Sequence, residues 1–350
     1  MNSHLAIALV LSASAIAFSG QQPRVSDTQL NTESVGSGLS ATVTRFQHSV
    51  QQLWVGYEVP SLPRNHASSC GDSYGSSSDD GCCGEIQLEG NRASVNNSVQ
   101  NTEPGRMYVL LRLDHGAITR VRPANVGCRM NAGGIPFTWL TGVQPEDSVR
   151  FLAQLAAQPG IENRVMDGSL ASLAQQATPA ATPELTNLAT SGASHLREKA
   201  AFWLAAERGH EGLLVLEKLL RTEQDPKLRE KLAFDLSISR EPVATDDLLA
   251  LAKSDGNAGV RSQAIFWLGQ KAGKKATAAL TNAIENDPDQ QVKKKAVFAL
   301  SQLPKDESIP QLIHVAQTNT NPAVRKDAFF WLGQSGDPRA LAFLESVLKQ

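Results

Sequence analysis

The sequence predicts a mainly α-helical protein: a C-terminal α-solenoid of helical hairpins with a period of 32 residues, preceded by a small α+β domain that holds the four cysteines. Two observations carry this. The second half repeats itself at a fixed interval, whereas the first half shows a β-hairpin pattern set among Ser- and Gly-rich stretches. Composition agrees with a folded chain of two domains, at 350 residues, 41% apolar and 19% charged. A formal net charge of −2 leaves no strong field to draw in nucleic acid or an anionic membrane.

The repeat spans residues 194–350 and comprises five helix–turn–helix units. In the column Leu196, Leu228, Val260, Val292, Val324, each step is 32 residues. The following position is always basic: Arg197, Arg229, Arg261, Lys293, Arg325. Six beyond the start stands Phe202, Phe234, Phe266, Phe298 or Phe330, and eight beyond stands Leu204, Leu236, Leu268, Leu300 or Leu332. A second helix repeats Leu216, Leu248, Leu280, Leu312 and Leu344. Asp225, Asn257, Asp289 and Asn321 precede the start column by three residues, and Pro226 and Pro322 follow two of them. An Asx N-cap with Pro at the first helical position is a helix start. Residues 143–193 read as a helical connector and capping unit, with Pro145 opening a helix through Phe151 and Leu155, and Leu170, Leu173 and Leu185 following.

This pattern resembles the HEAT family, in particular the short repeats named after phycobilisome lyases. The stretches Asp225-Pro226-Lys227-Leu228-Arg229 and Asn321-Pro322-Ala323-Val324-Arg325 carry the resemblance, and it implies a stacked-hairpin fold rather than a particular activity. The whole chain also resembles a group of exported bacterial HEAT-repeat proteins, through Trp54 to Pro60 and through Asn131 to Leu140. One hairpin cannot bury its apolar faces alone, so neighbours stack and share a continuous core. Such stacking leaves an extended concave surface, the expected binding face.

Residues 1–20 read as a signal peptide. Leu5 to Phe18 is an uncharged apolar run of 14 residues, shorter than the ~20 a membrane helix needs, and small residues follow; Met1-Asn2-Ser3-His4 contributes no Lys or Arg. The mature chain is then expected to be exported, periplasmic or extracellular, with no integral membrane segment. Residues 21–40, rich in Ser, Thr, Gln and Gly, read as a flexible linker. Residues 41–142 read as the small α+β domain. Within it Phe46, Val50, Leu53 and Trp54 suggest a helix ending near Gly56. Met107 to Leu113 and Ala117 to Pro123 suggest a hairpin around Asp114-His115-Gly116.

Several residue sets invite a functional reading. Cys70, Cys82, Cys83 and Cys128 are an even number in a chain expected to be exported, which favours disulfides over a metal site or a redox sensor. The adjacent pair Cys82-Cys83 fits the usual zinc spacing poorly. The basic column could meet an acidic ligand, but near-neutral charge favours pairing with acidic or carbonyl groups of adjacent repeats. Trp203, Trp267 and Trp331 occupy alternate units, with Asp235 and Ala299 between them; they are half-buried packing residues or a partner-binding stripe. His210-Glu211 makes no full metal site by itself: some HEAT-repeat hydroxylases hold two irons through several His-Glu pairs, and here the equivalent positions are Pro242-Val243, Lys274-Lys275, Asp306-Glu307 and Pro338-Arg339. No cofactor, metal or catalytic constellation is therefore expected. The sequence points to a scaffold that binds a protein partner, or alternatively to an envelope sensor whose N-terminal domain perceives a ligand or redox state.

Overall fold

The computed structural model describes residues 22–49, 52–63, 82–90, 94–100, 105–271 and 274–349. The apolar run of residues 5–18 and Cys70 lie outside them. The chain divides into two compact units, residues 1–148 and 149–350.

In the first unit the elements run β1 (Arg24–Ser26), β2 (Leu30–Ser34), α1 (Leu39–Ser49), β3 (Gln52–Pro60), β4 (Cys82–Gln87), β5 (Ser94–Gln100), β6 (Arg106–Asp114), β7 (Ala117–Asn125), β8 (Arg129–Asn131) and β9 (Phe137–Thr141). They form a five-stranded sheet ordered β2-β9-β3-β6-β7 and a four-stranded sheet ordered β1-β8-β4-β5. The β6–β7 hairpin stands where its sequence places it. His115 and Gly116 both take positive φ, 47° and 81°, the geometry that lets a two-residue turn match the strand twist.

Two expectations are corrected. Residues 21–40 are not a bare linker: β1 pairs in parallel with β8, and β2 with β9. The helix suggested by Phe46 to Trp54 ends at Ser49, and Leu53 and Trp54 belong to β3. Buried on both faces between β6 and β9, β3 lacks the alternation that marks a half-exposed strand.

Trp54, Leu88, Tyr108, Leu110, Met130, Phe137 and Trp139 form the core of this unit. The indole of Trp139 meets the Tyr108 ring edge-on at 5.0 Å. Gly56 is required where Phe137 crosses it, since a Cβ there would lie 2.7 Å from that ring. The Glu89 carboxylate accepts from Trp54 Nε1–H and Arg112 Nε–H, each at 2.7 Å, so the buried indole and guanidinium both find an acceptor.

The second unit is helical throughout. After α2 (Pro145–Ala156) come six hairpins: α3 (Asn163–Ala174) with α4 (Ala181–Ser191), α5 (Ser194–Glu207) with α6 (Gly209–Thr222), α7 (Pro226–Ile238) with α8 (Val243–Ser254), α9 (Ala258–Lys271) with α10 (Lys274–Asn286), α11 (Gln290–Ser301) with α12 (Lys305–Thr318), and α13 (Pro322–Gln334) with α14 (Pro338–Leu348). Among the described residues no helix is long and apolar enough to cross a membrane. The Asx caps work as their spacing implies. Asp225, Asp289 and Asn321 each accept from backbone N–H groups of the first turn they open, and Asn257 accepts from Val260. The columns from Leu204 and from Leu216 are buried in every inner hairpin, each such side chain contributing about 1.5–3 kcal/mol. First helices pack side by side along one row, and the second-helix row is more open.

Candidate functional site

The basic column is a structural staple. Arg197 pairs with Glu223, Arg229 with Asp255 at 2.5 Å, and Arg261 with Asp287 at 2.7 Å, each acid closing the second helix of the same hairpin. Each acid also accepts from the backbone N–H two residues on, at 2.8 Å, which fixes the loop into the next hairpin. The guanidinium reaches the preceding hairpin as well: Arg261 Nη1 donates to the Asp255 carbonyl at 2.9 Å, and Arg325 Nη1 to the Asn319 carbonyl at 2.8 Å. In the fourth unit Asn319 replaces the acid, and Lys293 turns to the Glu285 carbonyl at 2.8 Å. The column thus joins neighbours, as its near-neutral surroundings imply, and is not a ligand ladder.

The aromatic columns form a different arrangement. Trp203 meets Phe202 at 5.2 Å, and Phe202 stacks on Phe234 of the next hairpin at 6.1 Å. Phe234 meets Trp267 at 4.8 Å, Trp267 meets Phe266 at 4.9 Å, and Phe266 stacks on Phe298 at 6.3 Å. Phe298 meets Trp331 at 5.2 Å, and Trp331 meets Phe330 at 5.0 Å. Eight rings therefore touch in an unbroken line across five hairpins. The alternation of the Trp column has a steric reason. Asp235 and Ala299 are small, and the indole of the following hairpin leans back over the neighbouring Phe in the space a third and fourth indole would fill.

This ladder corrects the expectation that the Phe column is buried. Phe202, Phe234, Phe266 and Phe298 are half-buried, and Phe330 is 55% exposed. Of the sequence-predicted tryptophans, Trp203 is buried and supports the line from beneath, while Trp267 and Trp331 are half-buried. Sequence reasoning missed the Phe column as a surface. It also missed Lys295, whose ammonium sits 5.2 Å from the Phe266 ring centre and 5.8 Å from that of Phe298. The signal was present in the adjacency of Phe and Trp, which places two rings side by side at the rim of the packed stripe.

Asp235 lies under this surface. It is 2% exposed, its Oδ2 has no hydrogen-bond partner, and burial together with the Glu198 charge pushes its pKa well up, against the pull of Lys231.

His210 and Glu211 do different things. His210 is exposed, whereas Glu211 accepts from Thr182 Oγ1–H at 2.8 Å; Glu307, its counterpart, accepts from Thr277 at 2.8 Å. No group of three or more His, Cys, Asp or Glu side chains that could hold a metal occurs among the described residues. Cys128 is buried and disulfide-bonded. Cys70 and the side chains of Cys82 and Cys83 lie outside the described residues.

Comparison with known proteins gives three findings. Residues 245–317 and 277–350 match the family described as HEAT repeats. No curated protein matches the chain. Among solved structures the chain is similar to human deoxyhypusine hydroxylase, at 18% identity over 58% of this chain and 90% of that one, with a TM-score of 0.28. It is similar to the complex of CpcE and CpcF of phycocyanin lyase from Nostoc sp., at 22% identity over 44% of this chain and 99% of that one, TM-score 0.34. It is also similar to Kap121p, at 12% identity over 58% of this chain and 27% of that one, TM-score 0.39. None of these likenesses bears on activity.

Proposed function

We propose, starting from a chain whose C-terminal hairpins are HEAT repeats, that it is an exported, non-enzymatic scaffold that binds a protein partner along the aromatic ladder of its first-helix row. One observation carries this reading: the ladder runs through Phe202, Phe234, Trp267, Phe266, Phe298, Trp331 and Phe330 without a break and stays half-open to solvent. Aromatic rings held in fixed orientation are favoured anchors at interfaces, because they offer large apolar area at little cost in rotamer entropy. The rim carries Lys294, Lys295 and Lys326, which give a partner polar contacts around the apolar line.

Export rests on the uncharged run Leu5 to Phe18. In an oxidising compartment we read the cysteines as structural bridges, one of Cys82 and Cys83 to Cys70 and the other to Cys128. The Cys128 disulfide supports that reading.

The test compares affinity capture from envelope extracts by the wild-type protein and by a variant with Phe266→Ala and Phe330→Ala, with helical content checked by circular dichroism. Proteins retained by the wild type should be lost, by about tenfold or more, on the folded variant. An unchanged set of captured proteins would remove the ladder from the binding face.

A further inference from the structure

We infer that the last hairpin, α13–α14, is a docking face for a second copy of this chain. The observation is a set of columns that are covered in inner hairpins and bare in the last. Ile309 is 1% exposed, and Leu341, 32 residues on, is 59% exposed. Val315 is 2% exposed against 39% for Val347, and Ala316 is 4% exposed against 87% for Leu348. A Cβ on Gly269 would lie 2.8 Å from Ala299 of the next hairpin, whereas one on Gly333, in the same column, meets nothing within 4 Å. Phe298 is partly covered by Trp331, while Phe330 stands open.

The end of the array is therefore the same apolar surface that stacks hairpin on hairpin inside it. Repeat arrays ordinarily close such a surface with a polar capping unit. The first hairpin does this, since α4 shows Asn187, Thr190 and Ser191 to solvent. The last hairpin does not: its bare positions hold Leu, Val and Phe.

The occupant follows from continuity with the stacking interface. What fits is another helical hairpin with apolar residues at these columns. Among the described residues of this chain, the surface of that kind left bare is the α13–α14 face itself. A face that must meet its own kind calls for a two-fold pair, in which one patch serves both subunits. The α14 helix suits this. Leu341 and Leu348 are seven residues apart, two turns, so both lie on one side of the helix. Antiparallel apposition of two α14 helices sets Leu341 of each copy against Leu348 of the other. Charges are balanced on the same helix, with Asp337 and Glu345 against Arg339 and Lys349, so two copies meet without strong repulsion.

Sedimentation velocity of the full chain between about 1 and 100 μM tests this, a range that spans the usual affinities of modest interfaces. The expected result is a monomer–dimer equilibrium in the wild type. The variant with Leu341→Glu and Leu348→Glu should be monomeric at every concentration, with an unchanged helical signal because both side chains are already exposed. A control, Leu214→Glu, at a residue 49% exposed on α6, should dimerise like the wild type. A wild type that stays monomeric throughout overturns the proposal. So does a dimer that survives the double substitution, or growth into species larger than a dimer, which would mean a head-to-tail contact instead.

Discussion

The two units of this chain hold together over different distances along the sequence. In the sheet unit, Thr28 donates to the carbonyl of Ile135, 107 residues away, and β2 finds its partner only in β9. In the helical unit, the staple from Arg229 to Asp255 closes across 26 residues, and the pattern recurs at the same separation in neighbouring hairpins. The first design makes every strand depend on contacts that form last. The second makes each hairpin depend on its two neighbours. Loss of a side chain should therefore spread through the sheet unit and stay local in the array.

The largest expected effect tests the first half of that contrast. Trp139 lies in β9, is 2% exposed, and packs on Tyr108. Trp139→Ala should cost about 3–5 kcal/mol. Hydrogen exchange should then quicken together in β2, β3, β6 and β9, while α5 to α14 keep their protection. Faster exchange confined to β9 would break the comparison, because it would make the sheet unit as modular as the array.

A smaller effect tests the second half. Arg261 and Asp287 form a two-pronged pair at 2.7 and 2.9 Å, both largely buried. Arg261→Ala leaves that carboxylate without its charged donor and should cost about 2–3 kcal/mol. Exchange should quicken in α9 and α10 and in the loop after Asp255, and not in α5 or α13. Arg325 stands in the same column in the last hairpin and donates to the carbonyls of Asn319 and Thr320, so Arg325→Ala should cost less than about 1 kcal/mol. Equal losses from the two substitutions, read as urea midpoints, would show that the acid contributes nothing to the staple.

The same contrast explains what could be read from the sequence. The array was legible because local partners at constant spacing leave columns: the Leu, Arg and Asx positions all perform the roles their period implies. The β6–β7 hairpin was legible for the same reason, since its turn lies between its strands. β1 and β2 were not. Most of their residues are exposed or half-exposed, and their partners lie more than a hundred residues on, so Arg24–Ser26 and Leu30–Ser34 carry neither an apolar run nor a nearby mate. β3 was misread for the opposite reason: with Leu53 to Tyr57 all buried, it shows continuous apolarity that a helix could equally produce. At the candidate site the columns were visible but their exposure was not. Whether Phe266 is covered depends on the offset between hairpins, which a repeat period does not record.

The smallest effect separates two aspartates of the helical unit by the sign of their pH dependence. Asp337 caps α14 and accepts from the Arg339 side chain, which holds its carboxyl down at about 2, below the usual 3.8. A depressed folded-state value stabilises fully above the unfolded value and is lost as pH falls from 3.8 through about 2. Asp235 runs the other way. Burial, with Glu198 adding to it, lifts its folded-state value well above 3.8, so the unfolded chain gives up the proton first and stability falls as pH climbs from 3.8 toward that value. Asp235→Asn removes this fall. The variant should match the wild type near pH 4 and exceed it by about 1–2 kcal/mol at pH 7, a gain limited by the hydrogen bonds the amide must still find in a buried site. Asp337→Asn should weaken the protein at pH 7 and cease to matter near pH 2. Urea midpoints taken across this range decide the matter. Parallel curves for the wild type and Asp235→Asn would mean that Asp235 is solvated in the folded protein, and that the ladder above it admits water between its rings.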